Sequence, residues 1–405
     1  MAYGAVRASW LDAGLTAAAF LVMVRPGLRL AVAGLAALHV AVVLAHLPGV
    51  YNHWYFAGLV SLSLLIASAT GPAGFLPAGR WSLLLLYGLG GFHKLNGDFL
   101  TPGVSCASVL YEGLRARVGL LPAAAGLGWL LILLTLATEL GLPLLLARRR
   151  WRTAGVLTGL AFHLVMALAG YPRFSATGLA LLTLFLPPSV IAWNARSRVA
   201  FAAGLAAAVA LFPVVRDRLF LFITVALIVA LFIRTVTLTR RLDAIPEEPA
   251  ASGLRGMGWA VIGPLLILAS GLSPYLGLGT DRAFSMYSNL RTEGGRTNHL
   301  LIPARTQLFG LQRDLVPVLE SDDPRLAELA TRGMLVPFAE LRATLSDAMT
   351  RSDSSVSVSY LRNGVRFDVP DAAGDTLLRL PVSPFARKFL RMRPVEAAGS
   401  RRCGV

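Results

Sequence analysis

The chain reads as a polytopic α-helical membrane protein of nine or ten transmembrane helices, followed by a small C-terminal α+β extramembrane domain. Three observations point there. Of 405 residues, 55% are hydrophobic and only 15% are charged, whereas soluble domains carry about 25% charged residues. Apolar runs long enough to cross or nearly cross a bilayer recur at about 10–24, 28–47, 54–70, 81–96, 121–147, 153–170, 174–192, 199–215, 219–239 and 257–275. The charge is uneven: residues 1–280 hold 28 charged side chains and residues 281–405 hold 32. A membrane domain is therefore expected over 1–276 and an α+β domain over 277–405.

The first run is short and interrupted by Asp12, so it reads as a half-span or anchor. No small-residue cleavage site follows it to mark a removable signal peptide. Segment 97–120 is polar, contains Pro102 and Gly103, and has a helical patch around Ser108–Arg117. It is expected at the membrane surface. Residues 242–256 read as a flexible connection. Beyond 276 the pattern changes. Phe284–Pro303 reads as strand–turn–strand around Gly294-Gly295. Asp323–Thr331 and Val336–Met349 read as helices, the second with Phe338, Leu341 and Leu345 at helical spacing. Val356–Val369 alternates and turns at Asn363-Gly364, a strong hairpin signal.

The net charge is +16. In a membrane protein such an excess sets topology rather than recruiting nucleic acid. When the ten runs alternate sides, thirteen arginines fall together, including Arg148, Arg149, Arg150 and Arg152. That side is expected to be cytoplasmic. The 50–53 turn, segment 94–118, the Gly170–Arg173 turn and the whole C-terminal domain then face away from the cytoplasm. The chain is placed in the cell inner (plasma) membrane as a multi-pass protein. Two cysteines, Cys106 and Cys403, make no disulfide framework; they are read as free thiols, with a single bridge as the alternative.

Polar groups inside spans are expensive and are functional candidates by default. Asn52 and His53 open the third run. Lys94, Asn96 and Asp98 close the fourth. Glu139 lies within the fifth run and His163 within the sixth. On a continuing helix Lys94 and Asp98 would share a face. All of these groups are expected to line one outward-opening cavity, His163 and Glu139 deepest. Each has a plainer reading. Lys94 also reads as an interfacial snorkel, His53 as an interfacial anchor, and His163 and Glu139 as partners of neighbouring helices. His39, His46 and His93 are read as structural. One fact favours chemistry at Lys94. Of the 38 basic residues only Lys94 and Lys388 are lysine, so an amine that can lose its proton is kept where arginine would otherwise serve. No Walker loop, dinucleotide turn, Cys/His metal spacing or Gly-x-Ser-x-Gly elbow is present.

Phe92-His-Lys-Leu-Asn-Gly-Asp-Phe99 resembles the Lys-Leu-(Asn/Asp)-x-Asp-(Trp/Phe) signature of the vitamin K-dependent gamma-glutamyl carboxylase family. Its bacterial relatives are the HTTM (horizontally transferred transmembrane) proteins. Asn52-His53-Trp-Tyr-Phe-Ala-Gly-Leu is similar to that family's Asn-His-x-Tyr-x-x-Gly-Leu segment, and Phe162-His163 to its Phe-His segment. The resemblance covers roughly residues 25–190 and fades beyond. Arg291-Thr-Glu-Gly-Gly-Arg-Thr-Asn-His299 departs from the carboxylase pattern, and no propeptide-binding region is recognisable.

The resemblance implies carboxylase-like, quinol-dependent chemistry at an outward-facing intramembrane site. Lys94 would be the base that deprotonates a reduced quinone (vitamin K hydroquinone-like). Oxygenation with O2 would then generate a strong base, and CO2 would be the co-substrate of carboxylation. His53 and His163 would act in the same site, with Asn52, Asn96, Asp98 and Glu139 around the cofactor. The implied partners are the lipid bilayer, a lipid quinone entering from it, and a peptide or protein substrate, with no nucleic acid and no metal. The rival reading is a non-enzymatic membrane protein that binds a lipid, peptide or protein partner through its outer domain. A transporter is a third reading that no motif favours.

Overall fold

The computed structural model describes residues 10–124, 126–192, 194–211, 216–242, 254–351, 355–397 and 403. The connection expected over 242–256 falls largely outside them. The chain divides into two compact units: unit 1 is Met1–Gly91 with Val109–Leu268, and unit 2 is Phe92–Ser108 with Ala269–Val405. The compact units divide at 268/269, beside the expected boundary at 276/277, and Phe92–Ser108, the end of the fourth run with the polar stretch after it, belongs to the C-terminal unit.

Unit 1 is helical because its sequence is. Long Leu, Ala and Val runs satisfy their backbone groups internally, the requirement for crossing lipid. The helices are α1 (Trp10–Val24), α2 (Arg29–His46), α3 (Asn52–Thr70) and α4 (Phe75–His93), then α5 (Cys106–Val118), α6 (Gly128–Ala147) and α7 (Arg152–Leu168), then α8 (Pro172–Leu182), α9 (Pro188–Ile191), α10 (Ala195–Leu211) and α11 (Arg216–Leu242). α12 (Ile262–Leu276) completes the apolar set and runs into unit 2. Among the described residues six helices are long and apolar enough to cross a membrane: Arg29–His46, Asn52–Thr70, Gly128–Ala147, Arg149–Leu168, Arg218–Leu238 and Gly256–Leu276. This is compatible with a multi-pass membrane protein, although helices of that kind do not match all nine or ten expected spans.

The run at 174–192 shows why. It is not one helix. α8 is 11 residues long, which at 1.5 Å per residue falls well short of a bilayer core of about 30 Å. Pro187 and Pro188 then interrupt it, and only the four residues of α9 follow. Proline lacks the N–H that the ladder needs and disfavours helix in the residue before it.

Small residues let the helices of unit 1 approach closely, as is usual in membranes. A Cβ on Gly58 would stand 3.0 Å from Val43, and one on Gly159 would stand 2.9 Å from Leu182. Ser63 Oγ donates to the Ala260 carbonyl at 2.8 Å, which ties α3 to the stretch before α12.

Unit 2 contains a five-stranded antiparallel sheet of order β4-β3-β1-β2-β5. The strands are β1 (Leu315–Ser321), β2 (Met334–Pro337), β3 (Val358–Arg362), β4 (Val365–Val369) and β5 (Val395–Glu396). Helices α13 (Pro324–Thr331) and α14 (Phe338–Arg351) supply the apolar cover; a short α15 (Pro384–Phe389) follows. Val316, Val318, Leu326, Val336, Leu341, Leu345 and Tyr360 form the core. Asp323 caps α13 by accepting from the Arg325 and Leu326 amides, the expected role of Asp at a helix start. The hairpin at Asn363-Gly364 is present. Both residues have positive φ, 53° and 77°, as its two-residue turn demands.

Two expectations fail in unit 2. Phe284–Pro303 contains no strand; its one ladder contact is an isolated bridge between Asn96 and His299. Cys106 and Cys403 are not free thiols but a disulfide, closed across a sequence separation of 297 residues. That bond, β5 and Arg391 together fasten the C-terminal segment. The Arg391 Nε donates to both Glu340 oxygens, at 2.8 and 3.0 Å, and Nη1 reaches Asp347. Burial works against charge on Arg391, but Glu340 and Asp347 more than offset it and raise its pKa above the ordinary value.

Removing one member of a buried ion pair strands the other, at a cost of about 3–5 kcal/mol. Arg391→Ala should therefore destabilise unit 2 by that amount. None of the seven tryptophans lies in unit 2, so hydrogen exchange of the β1–β3 amides is the suitable reading. Protection equal to wild type would contradict this account.

Candidate functional site

The sequence-predicted residues are divided between the units. Asn52, His53, Glu139 and His163 belong to unit 1; Lys94, Asn96 and Asp98 belong to unit 2.

In unit 1 the centre is His163, fully buried on α7. Its Nε2 lies 2.6 Å from the Tyr87 hydroxyl. Phe162 and Phe174 pack on its ring at centroid distances of 5.3 and 5.2 Å. Gly178 on α8 lies directly beneath, where a Cβ would fall 1.9 Å from Nε2. Only glycine fits there. Glu139 on α6 faces Gly90, its Oε2 3.3 Å from where a Cβ would stand, and its charge acts on Tyr87. Tyr87 is thus hydrogen-bonded to His163 and lies within the field of Glu139.

His53 opens α3 with Tyr51 stacked on its ring at 5.6 Å. The charge of Arg173 acts on it. Arg173 and Phe174 are consecutive in the first turn of α8, so that turn attends both His53 and His163.

Three polar atoms on the candidate residues of unit 1 lack what buried polar atoms normally have. His163 Nδ1, His53 Nε2 and Asn52 Oδ1 are buried without a hydrogen-bond partner among the described residues. Leaving such an atom unpaired costs about 1–3 kcal/mol. Whichever tautomer His163 adopts, one ring nitrogen remains to donate or accept.

Unit 2 is different. α4 ends at His93, so Lys94 and Asp98 do not share a helical face. Lys94 is 3% exposed, with Nζ 5.8 Å from the Phe99 ring centroid, a cation–π arrangement. Asn96 is a structural hub. Its amide donates to the His93 and Ser288 carbonyls, and its oxygen accepts from the Phe99 amide and from Asn298. Asp98 accepts from Asn298 at 2.9 Å. Residues expected around a cofactor thus hold the loop in place.

The histidines here use both ring nitrogens. His93 Nε2 donates to the Ala283 carbonyl at 3.0 Å, which leaves Nδ1 to accept from Tyr275 at 2.8 Å. His299 Nε2 donates to the Phe92 carbonyl while Nδ1 accepts from the Leu301 and Ile302 amides. Burial pulls the His299 pKa below the ordinary histidine value, partly opposed by the Phe92 carbonyl. Among the described residues no group of three His, Cys, Asp or Glu is placed to hold a metal ion.

Tyr87 and Phe174 escaped the sequence reading. Tyr87 had a signal: a lone hydroxyl within the apolar stretch Leu83–Gly91 needs a partner when buried. Phe174 had none. Comparison of the chain with protein-family models, with curated proteins and with solved structures finds no match.

Gly178→Ala should cost about 1–3 kcal/mol by overpacking against His163. Gly141→Ala, where a Cβ meets nothing within 4 Å, should be neutral or stabilising by up to about 1 kcal/mol. Tryptophan emission during thermal unfolding reads unit 1; equal behaviour of the two variants would refute the His163–Gly178 packing.

Proposed function

We propose that the chain is a multi-pass membrane protein of the HTTM, carboxylase-like kind that acts on a reduced lipid quinone. One observation carries the reading: in an apolar helical unit, three buried polar atoms on His163, His53 and Asn52 stand unpartnered among the described residues, beside aromatic walls. A quinol head fits this chemistry, since its ring suits aromatic surfaces and its hydroxyls both donate and accept. His163 and His53 would hold the oxygens, and Asn52 would accept from a hydroxyl. When bound, a reduced quinone supplies an oxidisable ring that reacts with O2; CO2 is the further co-substrate where carboxylation is retained.

The chain's own residues then have separable tasks. Tyr87 and Gly178 fix the ring of His163. The helices exclude water, which protects reactive species. Lys94 serves as proton acceptor. It is buried, and unlike arginine its amine can give up a proton.

The test is quinol-dependent oxygen uptake by the purified, reconstituted protein. Wild type should consume oxygen, and Lys94→Ala should lose about 10²–10⁴ of the rate, the usual contribution of a positioned base. Lys94→Arg keeps a cation over Phe99 but cannot lose a proton, and should be equally inactive. Uptake by either variant at the wild-type rate would sink the proposal.

The proposed location is the inner membrane, with unit 2 on the non-cytoplasmic side. The Cys106–Cys403 disulfide supports this, because such bonds persist in oxidising compartments. An impermeant thiol reagent should label both cysteines from outside only after reduction. Labelling that requires breaching the inner membrane would reverse the orientation.

The rival, a non-enzymatic protein that binds a lipid, peptide or protein through unit 2, draws on one observation, an arginine-lined cleft in that unit.

A further inference from the structure

We infer that unit 2 carries an interfacial site for the phosphate head group of an anionic phospholipid. The inference rests on reading Gly256–Leu276 as a membrane span and is independent of the quinol chemistry.

The site is a cleft of about 480 Å³ whose lining includes Arg291, Arg296, Arg313, Glu293 and Asp314. The charges do not cancel. Glu293 is engaged from outside the lining by Arg393, at 3.5 Å. Asp314 is engaged by Arg362 at 2.8 Å, likewise from outside. With both carboxylates matched by other guanidiniums, three arginines give the cleft a net positive field. Planar guanidinium forks suit phosphate oxygens.

The frame is held in advance. The Arg291 amide donates to Asn298 Oδ1 and the Asn298 amide returns to the Arg291 carbonyl. Gly294 donates to the Gln312 carbonyl at 2.8 Å. Gln307 Nε2 donates to the Thr292 carbonyl at 2.6 Å. A preorganised cleft pays little ordering cost on binding.

A second observation chooses lipid over a soluble anion. The loop that follows the cleft's first arginines exposes Leu300 (59%), Leu301 (65%), Leu308 (77%) and Phe309 (48%). Its height is fixed by the span. Phe309 N donates to the Leu276 carbonyl at 3.0 Å, and Thr306 Oγ1 donates to the Tyr275 carbonyl at 3.1 Å. Leu276 is the last residue of the span, where hydrocarbon gives way to head groups. Apolar side chains held at that level belong in the acyl boundary. Arg313 joins the two features by donating to the Gln307 carbonyl at 2.8 Å. Apolar residues at the boundary with basic groups beside them are the pattern of an interfacial anchor on anionic lipid.

The test uses the intact protein in detergent, titrated with phosphatidylglycerol, phosphatidylcholine or inorganic phosphate. Native mass spectrometry reads the lipids and equilibrium dialysis reads the phosphate. Wild type should retain phosphatidylglycerol about tenfold over phosphatidylcholine. Arg296→Glu, at an exposed position, should lower that preference about fivefold or more, and Arg291→Gln/Arg296→Gln/Arg313→Gln should abolish it. Leu308→Asn/Phe309→Asn should weaken retention while leaving thermal unfolding unchanged. Equal retention of the two lipids, or a preference that survives the triple substitution, would overturn the inference. So would inorganic phosphate binding as tightly as phosphatidylglycerol, which would assign the cleft to a soluble anion. Loss of quinol-dependent oxygen uptake is not among these readings, so the two proposals fail separately.

Discussion

Unit 2 depends on one side chain, the carboxamide of Asn96. It has two donors and an acceptor oxygen, and all of them are committed. They reach the carbonyls of His93 and Ser288, the amide of Phe99 and the side chain of Asn298. Three stretches of chain meet on this one residue. Around it the backbone of Leu95–Gly97 pairs with Asn298–Leu300, and Asn289 fastens Val104 and Cys106. Without these bonds the loop after α4 would be a set of buried, unpaired peptide groups, which proteins do not tolerate. The position of Lys94 follows from this clasp.

The two units treat their polar residues in opposite ways. In unit 2, His93 and His299 use both ring nitrogens and behave as cross-links. In unit 1, His163 and His53 each keep a nitrogen unspent. A residue whose bonding capacity is exhausted can hold a fold but can do little else. One with a free nitrogen in an apolar setting carries an energetic cost that a ligand can relieve. The contrast sets His53 and His163 apart from Asn96 and Asp98, whose hydrogen bonds hold the loop after α4.

What was legible in the sequence follows from the range of the forces involved. The longest apolar runs, the helix beginning at Asp323 and the hairpin at Asn363-Gly364 are set by neighbours a few residues away, and they read correctly. β1 was missed because Pro317 sits inside it, paired with Leu335; proline ordinarily argues against a central strand. The break at Pro187-Pro188 was overridden by the hydrophobicity around it. Phe284–Pro303 was read as a hairpin because its glycines sit where a turn belongs. Its true partners are in 92–108, far away in sequence, and no local pattern reports them. The disulfide was missed for the same reason. Of the site, His163 and Glu139 stood out as polar groups in apolar runs, but Tyr87, the partner of His163, shows its role only once α4 and α7 are side by side.

That long-range pairing bears on how the protein is made. Residues 92–108 leave the ribosome before 109–268, and their partners come only afterwards. At about 5–20 residues per second, the segment spends about 9–40 s without Asn289, Asn298 or His299. Throughout that time the helices of unit 1 are being delivered to the membrane. A chain interrupted after residue 108 and before 289 would hold helices of unit 1 and an orphaned polar loop, a ready signal for quality control to recognise.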